Sequence, residues 1–319
     1  MSALDRIAPA ADGITSIDTV MAGARELNAV YLIEAAAACL VETGPGADHE
    51  RICEALDTIG LGATDLAHVV VTHVHIDHAG GAGALLRRFP NATVWVHEIG
   101  AKHLVDPSRL LASTQRTYGK QRMHDLYGEM LPVPADRVRA LADGDRISLG
   151  DRDLAVVYTP GHASHHVALL DERSGAMCTG EAIGSYLPWA DCYRPALPPP
   201  EVDVEAALEA IERMRTRGPT TLLTSHFGPV PDPDEAFDRA AERIRGWADD
   251  VERVLRDEPS AGEDVVVSVL AARARAEFEA DAGRPFDRER YDVLGSIRMN
   301  AQGLSRYWRK RWERGPGET

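Results

Sequence analysis

The sequence predicts an α/β fold followed by a helical C-terminal part, and three observations predict it. Short β-branched runs alternate with helical patterns from residue 29 to residue 224. Several of those runs end in a histidine or carboxylate beside a glycine. After Pro229-Val230-Pro231-Asp232-Pro233 the strand-like runs give way to helical periodicity.

The elements follow in order. Residues 29–33 and 37–42 read as a pair of strands, with Thr43-Gly44-Pro45-Gly46 stopping the second. Ile52, Leu56 and Ile59 recur at helical spacing. Ala67-His68-Val69-Val70-Val71-Thr72 reads as a buried strand, and Gly80 and Gly81 let the backbone turn tightly before a helix over 82–89. Strands are predicted over 93–97 and 154–159, with Asp143-Gly144-Asp145 as a turn between short runs. Residues 167–170 and 176–179 flank 171–175 as a hairpin. Leu197-Pro198-Pro199-Pro200 interrupts regular structure before a helix over 202–215, and 220–224 forms a last strand. No internal repeat is evident.

Beyond residue 233, Ala240, Ile244, Trp247, Val251 and Leu255 mark a helix over 236–255. Residues 265–269 keep a weak strand-like alternation. Leu304, Trp308 and Trp312 stripe a helix over 297–312, whose aromatics are expected to pack on the main body with the basic residues in water. The expected division is a catalytic domain over 1–232 and a C-terminal helical domain over 233–319.

Composition narrows the function. No segment approaches the ~18 uninterrupted apolar residues of a membrane span. Residues 1–13 lack the basic and apolar regions of a secretory signal. Cys39, Cys53, Cys178 and Cys192 form no CxxC pair and read as reduced, mostly buried thiols, so the cytoplasm is the expected compartment. The net charge is −15, most of it before Glu235, and such a body repels a phosphate backbone. The expected partner is a small-molecule substrate, with neither nucleic acid nor membrane. The C-terminal helices are candidates for pairing two copies as a homodimer.

His73, His75, Asp77 and His78 place three imidazoles and a carboxylate within six positions. Alternation along an extended chain points His73 and His75 the same way, and Asp77 and His78 open the next segment. Neutral imidazole with carboxylate suits zinc, and also iron or manganese. Thr159-Pro160-Gly161-His162, Cys178-Thr179-Gly180-Glu181 and Thr224-Ser225-His226-Phe227-Gly228 repeat the arrangement of strand, sharp turn and donor.

As a set, HxHxDH at 73–78, the Pro-Gly-His ending at His162, the Thr-Gly-Glu ending at Glu181 and Ser-His-Phe-Gly-Pro around His226 resemble the metallo-β-lactamase fold superfamily. The resemblance implies a four-layer αββα sandwich with its metal site at the edge where two sheets meet. It implies that His73, His75 and His162 hold one metal and that Asp77, His78 and His226 hold a second. Glu181 would stand where a carboxylate bridges them. That position is usually Asp, so Glu181 could bridge by a shifted backbone, bind one ion only, or weaken one site. Glu42-Thr43-Gly44 likewise departs from the usual Asp-Thr-Gly, at a position that supports rather than ligates.

The cofactors so implied are two divalent metals, zinc first, with iron or manganese as alternatives. The implied reaction uses a metal-bridging hydroxide to cleave an ester, thioester or lactone of a small molecule, as in glyoxalase II-like and lactonase-like members. Asp77 would be the catalytic residue, ligating and orienting the nucleophile or accepting its proton. β-Lactam hydrolysis is a weaker reading, and nuclease activity is disfavoured by charge and by the short interval between Glu181 and His226. Two alternatives come from other classes: a mononuclear iron persulfide dioxygenase-like enzyme, and a non-catalytic small-molecule binding protein on the same scaffold. Tyr186, Trp189 and Arg194 follow Glu181 in a proline-interrupted stretch and are expected to shape the substrate pocket. His97, His103 and His124 read as structural, and His165 and His166 as supporting, substrate-contacting or structural.

Overall fold

The computed structural model describes residues 2–230 and 232–314; residues 1, 231 and 315–319, which include Pro231 of the proline-rich boundary, lie outside it. Strands β1 (Ile7–Ala11), β2 (Ile14–Asp18), β3 (Ala29–Ile33), β4 (Ala38–Val41), β5 (Leu66–Val70), β6 (Thr93–His97) and β7 (Val138–Leu141) lie side by side in chain order as one sheet. The first four are antiparallel neighbours. From β4 onward the pairing is parallel, and a parallel neighbour requires a crossover. Helices supply it: α1 (His49–Ile59) before β5, α2 (Ile76–Ala79) and α3 (Ala82–Arg88) before β6, and α4 (Glu98–Val105), α5 (Ser108–Tyr118) and α6 (Lys120–Tyr127) before β7.

The second sheet contains β8 (Arg146–Ser148), β9 (Asp153–Tyr158), β10 (Val167–Asp171) and β11 (Ala176–Gly180). A separate hairpin follows, β12 (Ser185–Leu187) with β13 (Cys192–Arg194). Helix α7 (Val204–Arg215) then carries the chain to β14 (Thr221–Thr224), which pairs parallel to β11 at the far edge from β8. Strands β1, β2, β12 and β13 carry no strand signal in the sequence patterns above; each strand predicted up to residue 224 is present.

Period-two alternation sorts the apolar side chains into layers. Tyr31, Ile33, Val70, Val156 and Leu169 form a cluster between the sheets, while Val30, Leu32 and Val69 pack outward with Leu56 of α1 and Leu85 of α3. On the other side Val157, Ala168 and Met177 join Ile211 and Met214 of α7. The result is the four-layer αββα sandwich. Each fully buried Val, Leu or Ile contributes roughly 1.5–3 kcal/mol to holding it.

The C-terminal part comprises α8 (Pro233–Asp257), α9 (Glu263–Ala282), α10 (Arg288–Tyr291) and α11 (Ser296–Arg314). Asp232 caps α8, accepting from the Glu235 amide at 3.0 Å, with Pro233 in the first turn. Trp247, Phe278 and Leu304 from these helices share one apolar cluster with the outer face of the second sheet. Residues 265–269 are helical rather than extended: Val266, Leu270, Ala274 and Phe278 are buried at every fourth position, and that spacing outweighs the β-branched run. Trp308 packs inward and donates to the Ala248 carbonyl at 2.8 Å, while Trp312 is more exposed. All four cysteines are free, and no helix among the described residues is long and apolar enough to cross a membrane.

One buried ion pair joins the sheets. Arg152 donates to Asp171 Oδ1 at 2.9 Å, to the Glu34 carbonyl at 3.1 Å and to the Gly13 and Asp12 carbonyls at 3.3 and 3.2 Å. Burial raises the Asp171 carboxyl, but bonds from Arg152 and Ser174 outweigh it and hold the group below its usual range. Its stabilisation is therefore present above the unfolded carboxylate value near ~4 and is lost as pH falls through the lower folded value. Arg152→Ala leaves a buried carboxylate unpaired and is expected to cost about 3–5 kcal/mol, read as a shift in urea midpoint at neutral pH.

Candidate metal centre

The donors sit where the sheets close on each other. Past β5, the Thr72 carbonyl accepts from Val167 of β10 at 2.8 Å, and past β14 the Ser225 carbonyl accepts from Ala29 of β3 at 2.8 Å. His73 and His75 follow Thr72, and α2 then presents Asp77 and His78 in its single turn. His162 follows β9 through Gly161, whose φ is 134°. A Cβ there would lie 2.4 Å from the Ala207 backbone, so only glycine lets α7 approach. Glu181 follows β11. His226 follows β14, and its turn is held by the hairpin: Tyr186 N–H donates to the His226 carbonyl at 2.6 Å and Phe227 N–H to the Tyr186 carbonyl at 3.0 Å.

The donors form two sets, His73, His75, His162 and Glu181 in one, Asp77, His78 and His226 in the other, and a third group of Glu42, His73 and His78 shares one residue with each. His75 Nδ1 lies 2.9 Å from both His73 Nε2 and His162 Nε2. Glu181 Oε2 lies 3.0 Å from His162 Nε2, 3.5 Å from His73 Nε2 and 3.3 Å from His78 Nε2. In the second set, His226 Nε2 lies 3.4 Å from Asp77 Oδ2 and 3.2 Å from His78 Nε2.

Supporting contacts decide which ring nitrogens carry protons. His162 Nδ1–H donates to the Ala196 carbonyl at 2.9 Å and His226 Nδ1–H to the Leu27 carbonyl at 2.6 Å. Thr72 donates its hydroxyl to Glu42, so His73 Nδ1–H donates to Thr72 Oγ1 at 3.0 Å. In each neutral ring the Nε2 lone pair then faces inward, toward carboxylate oxygens that are also acceptors. Acceptors facing acceptors at 3.0–3.5 Å repel one another unless a cation lies among them. The donor set fits divalent metal on that ground.

Burial and neighbouring charges act on each of these groups. Burial, then the neighbouring imidazoles, hold His73 and His75 well below the usual histidine range. Burial opposes ionisation of Glu181, yet His162, His73 and His78 hold its carboxyl well below the usual range. Asp77 is similarly brought down to about 2, by His78 and His226 against burial. Burial would also lower His78, but the Asp77 and Glu42 carboxylates outweigh it and raise the ring well above its ordinary value. Glu42 is fully buried behind the site, accepts from Ser225 Oγ at 2.9 Å and lies 3.4 Å from His78 Nδ1. It thus supports the second set more directly than its motif position suggested.

A cavity of about 150 Å³ opens onto His75, Asp77, His162, Glu181 and His226. Its far wall comes from α5, through Leu110, Ser113, Thr114, Thr117 and Tyr118, and from Leu294, Met299 and Asn300 near and on α11. Of the three residues expected to shape the pocket, only Arg194 lines it, and its guanidinium is committed to the Tyr291 carbonyl and to Ser185 Oγ at 3.2 Å. Tyr186 and Trp189 are not among the lining residues. Tyr186 bonds Asp191 at 3.0 Å, and Trp189 packs on Phe278, because the chain past Glu181 forms a hairpin against α9. The sequence reading missed the cavity-facing residues of α5, which form one helical stripe from Leu110 to Tyr118 whose mixed polarity leaves no apolar periodicity in the sequence.

The remaining histidines take supporting places. His166 Nε2 accepts from the Glu181 amide at 3.1 Å, and His165 Nδ1 lies 3.4 Å from the Val74 amide. His97 stacks on Tyr158 at 4.6 Å and caps α4.

The sequence is 23% identical over 263 residues to the probable metallo-hydrolase YqjP of Bacillus subtilis, a match covering 76% of this chain and 80% of that one. It is 34% identical over 126 residues to the acyl-coenzyme A thioesterase MBLAC2 of Gallus gallus, covering 38% of this chain and 43% of that one. The fold superposes on a β-lactamase domain protein from Burkholderia ambifaria with a TM-score of 0.65 at 20% identity, over 99% of this chain and 91% of the other. The family model for the metallo-beta-lactamase superfamily matches residues 23–226. A match over more than half the sequence, on this architecture, settles the family: the chain belongs to the metallo-β-lactamase superfamily.

Proposed function

We propose that the protein is a metal-dependent hydrolase that holds two divalent ions, zinc first, and cleaves an ester, thioester or lactone of a small molecule. The observation that carries this reading is Glu181, one of whose oxygens reaches donors of both sets at 3.0–3.5 Å from the cavity wall. The extra methylene of glutamate lets one oxygen stand between the two sets, which supports the bridging reading.

Divalent ions held there supply Lewis acidity, making water nucleophilic near neutral pH and drawing charge from an acyl oxygen. Asp77, ionised throughout the neutral range, orients that water or accepts its proton. His73, His162 and His226 keep their lone pairs inward because their other ring protons are committed. Ile76, Leu110 and Leu294 offer an apolar wall for the acyl or leaving group. Tyr118, whose phenol is pushed up to about 12 by burial, remains an O–H donor at the cavity. The similarity to a thioesterase supports the thioester end of the range.

Elemental mass spectrometry on protein purified without added metal is expected to find close to two ions per chain. Turnover on a panel of esters, thioesters and lactones should then vanish with a chelator and return with zinc. One iron per chain with oxygen consumption on persulfides would replace this reading by the oxygenase one. Absence of metal uptake on dialysis would leave a binding protein.

A further inference from the structure

We propose that α11 is part of the scaffold of the metal centre, with Asn300 as a positioning residue for the metal ligand His162; the proposal rests on the metal reading above. The ring of His162 is oriented by one bond, from Nδ1–H to the Ala196 carbonyl at 2.9 Å. Ala196 lies in an irregular segment with prolines at 195, 198, 199 and 200. Proline has no N–H to give, so this segment cannot hold itself in a backbone ladder. Something else must fix the carbonyl.

Asn300 does so from both sides. Its Oδ1 accepts from Leu197 N–H at 2.7 Å, and its Nδ2 donates to the Pro195 carbonyl at 2.7 Å. One carboxamide therefore brackets Ala196, and the side chain is only 2% exposed. A donor facing a carbonyl and an acceptor facing an amide leave the group a single orientation. Gly303, one turn on, makes the approach possible: a Cβ there would lie 1.9 Å from the Leu197 carbonyl oxygen. Arg306, three residues further, donates to the Pro200 carbonyl at 3.3 Å. The three residues lie at successive i+3 steps on α11 and grip one segment of chain.

The same segment walls the cavity through Pro195, Ala196 and Pro198, and Asn300 itself lines it. A helix beyond the residues that match the family thus sets the angle of one metal ligand. Losing an outer contact of a ligating histidine typically weakens metal binding about 10–100-fold.

The test uses the full chain with zinc, a competing chromophoric chelator, and thermal unfolding of the metal-free proteins. Wild type is expected to bind two ions, and Asn300→Ala to bind one of them at least about tenfold more weakly with the other unchanged. Asn300→Asp, which keeps the acceptor for Leu197 N–H, should fall between them and carries the test if the alanine variant does not fold. In a His162→Ala background, adding Asn300→Ala should change zinc affinity no further, whereas a general loosening of the fold would weaken it again. Folded Asn300 variants that bind both ions with wild-type affinity overturn the proposal and leave the metal reading standing. Wild type that takes up no zinc removes the metal reading, and this proposal with it.

Discussion

Asp77→Ala is expected to lower kcat/KM at least about a hundredfold while the protein stays folded. A hundredfold loss corresponds to about 2.7 kcal/mol of transition-state stabilisation. Two roles disappear together: a donor facing His226 at 3.4 Å, and an ionised carboxylate at the cavity. The fold should survive because the fixed contact to the rest of the chain is made by the Asp77 carbonyl, which accepts from Asn28 Nδ2 at 3.2 Å and which alanine keeps. Kinetics on the responsive substrate, with circular dichroism on the same sample, gives the answer. Wild-type turnover in a folded variant would remove Asp77 from the mechanism.

Glu181→Gln is expected to show the second large effect, a loss of metal rather than of fold. The substitution preserves size but removes the charge that three imidazoles hold in place. An amide oxygen is a weaker partner for a divalent ion, and the amide nitrogen would point a donor at the site. Metal content should drop toward one ion per chain, with activity falling about 10–100-fold. Glu181→Asp keeps the charge but shortens the reach, so its metal content should lie nearer wild type. Two tightly held ions in the Gln variant would show that Glu181 does not span the sets.

Much of the centre was legible because its donors share a local rule. Each stands at or shortly past the end of a strand, and those strands are read from short apolar runs bounded by turn residues. His73, His75, Asp77, His78, His162, Glu181 and His226 are brought together for that reason. The cavity wall follows no such rule. Ser113, Thr114 and Thr117 face a solvent-accessible cavity, so α5 shows a mixed polar face instead of an apolar stripe. Tyr186 and Trp189 were misplaced because proximity in sequence to a donor says nothing about which way a hairpin folds. Glu42 looked peripheral because its contacts, with Thr72, Ser225 and His78, come from distant stretches of chain.

Helix α5 faces the site with none of its residues fully enclosed, whereas the donors His73 and His78 are. Local opening costs least where few apolar contacts must be broken. The two walls of the cavity therefore differ in what sequence drift they tolerate. The donor wall is locked to the sandwich and resists change at almost every position. At Ser113, Thr114 and Thr117 the α5 wall can be redrawn without cutting into the core that Leu110, Leu111 and Tyr118 pack against, so new substrates can be reached from one side while the chemistry on the other stays as it is.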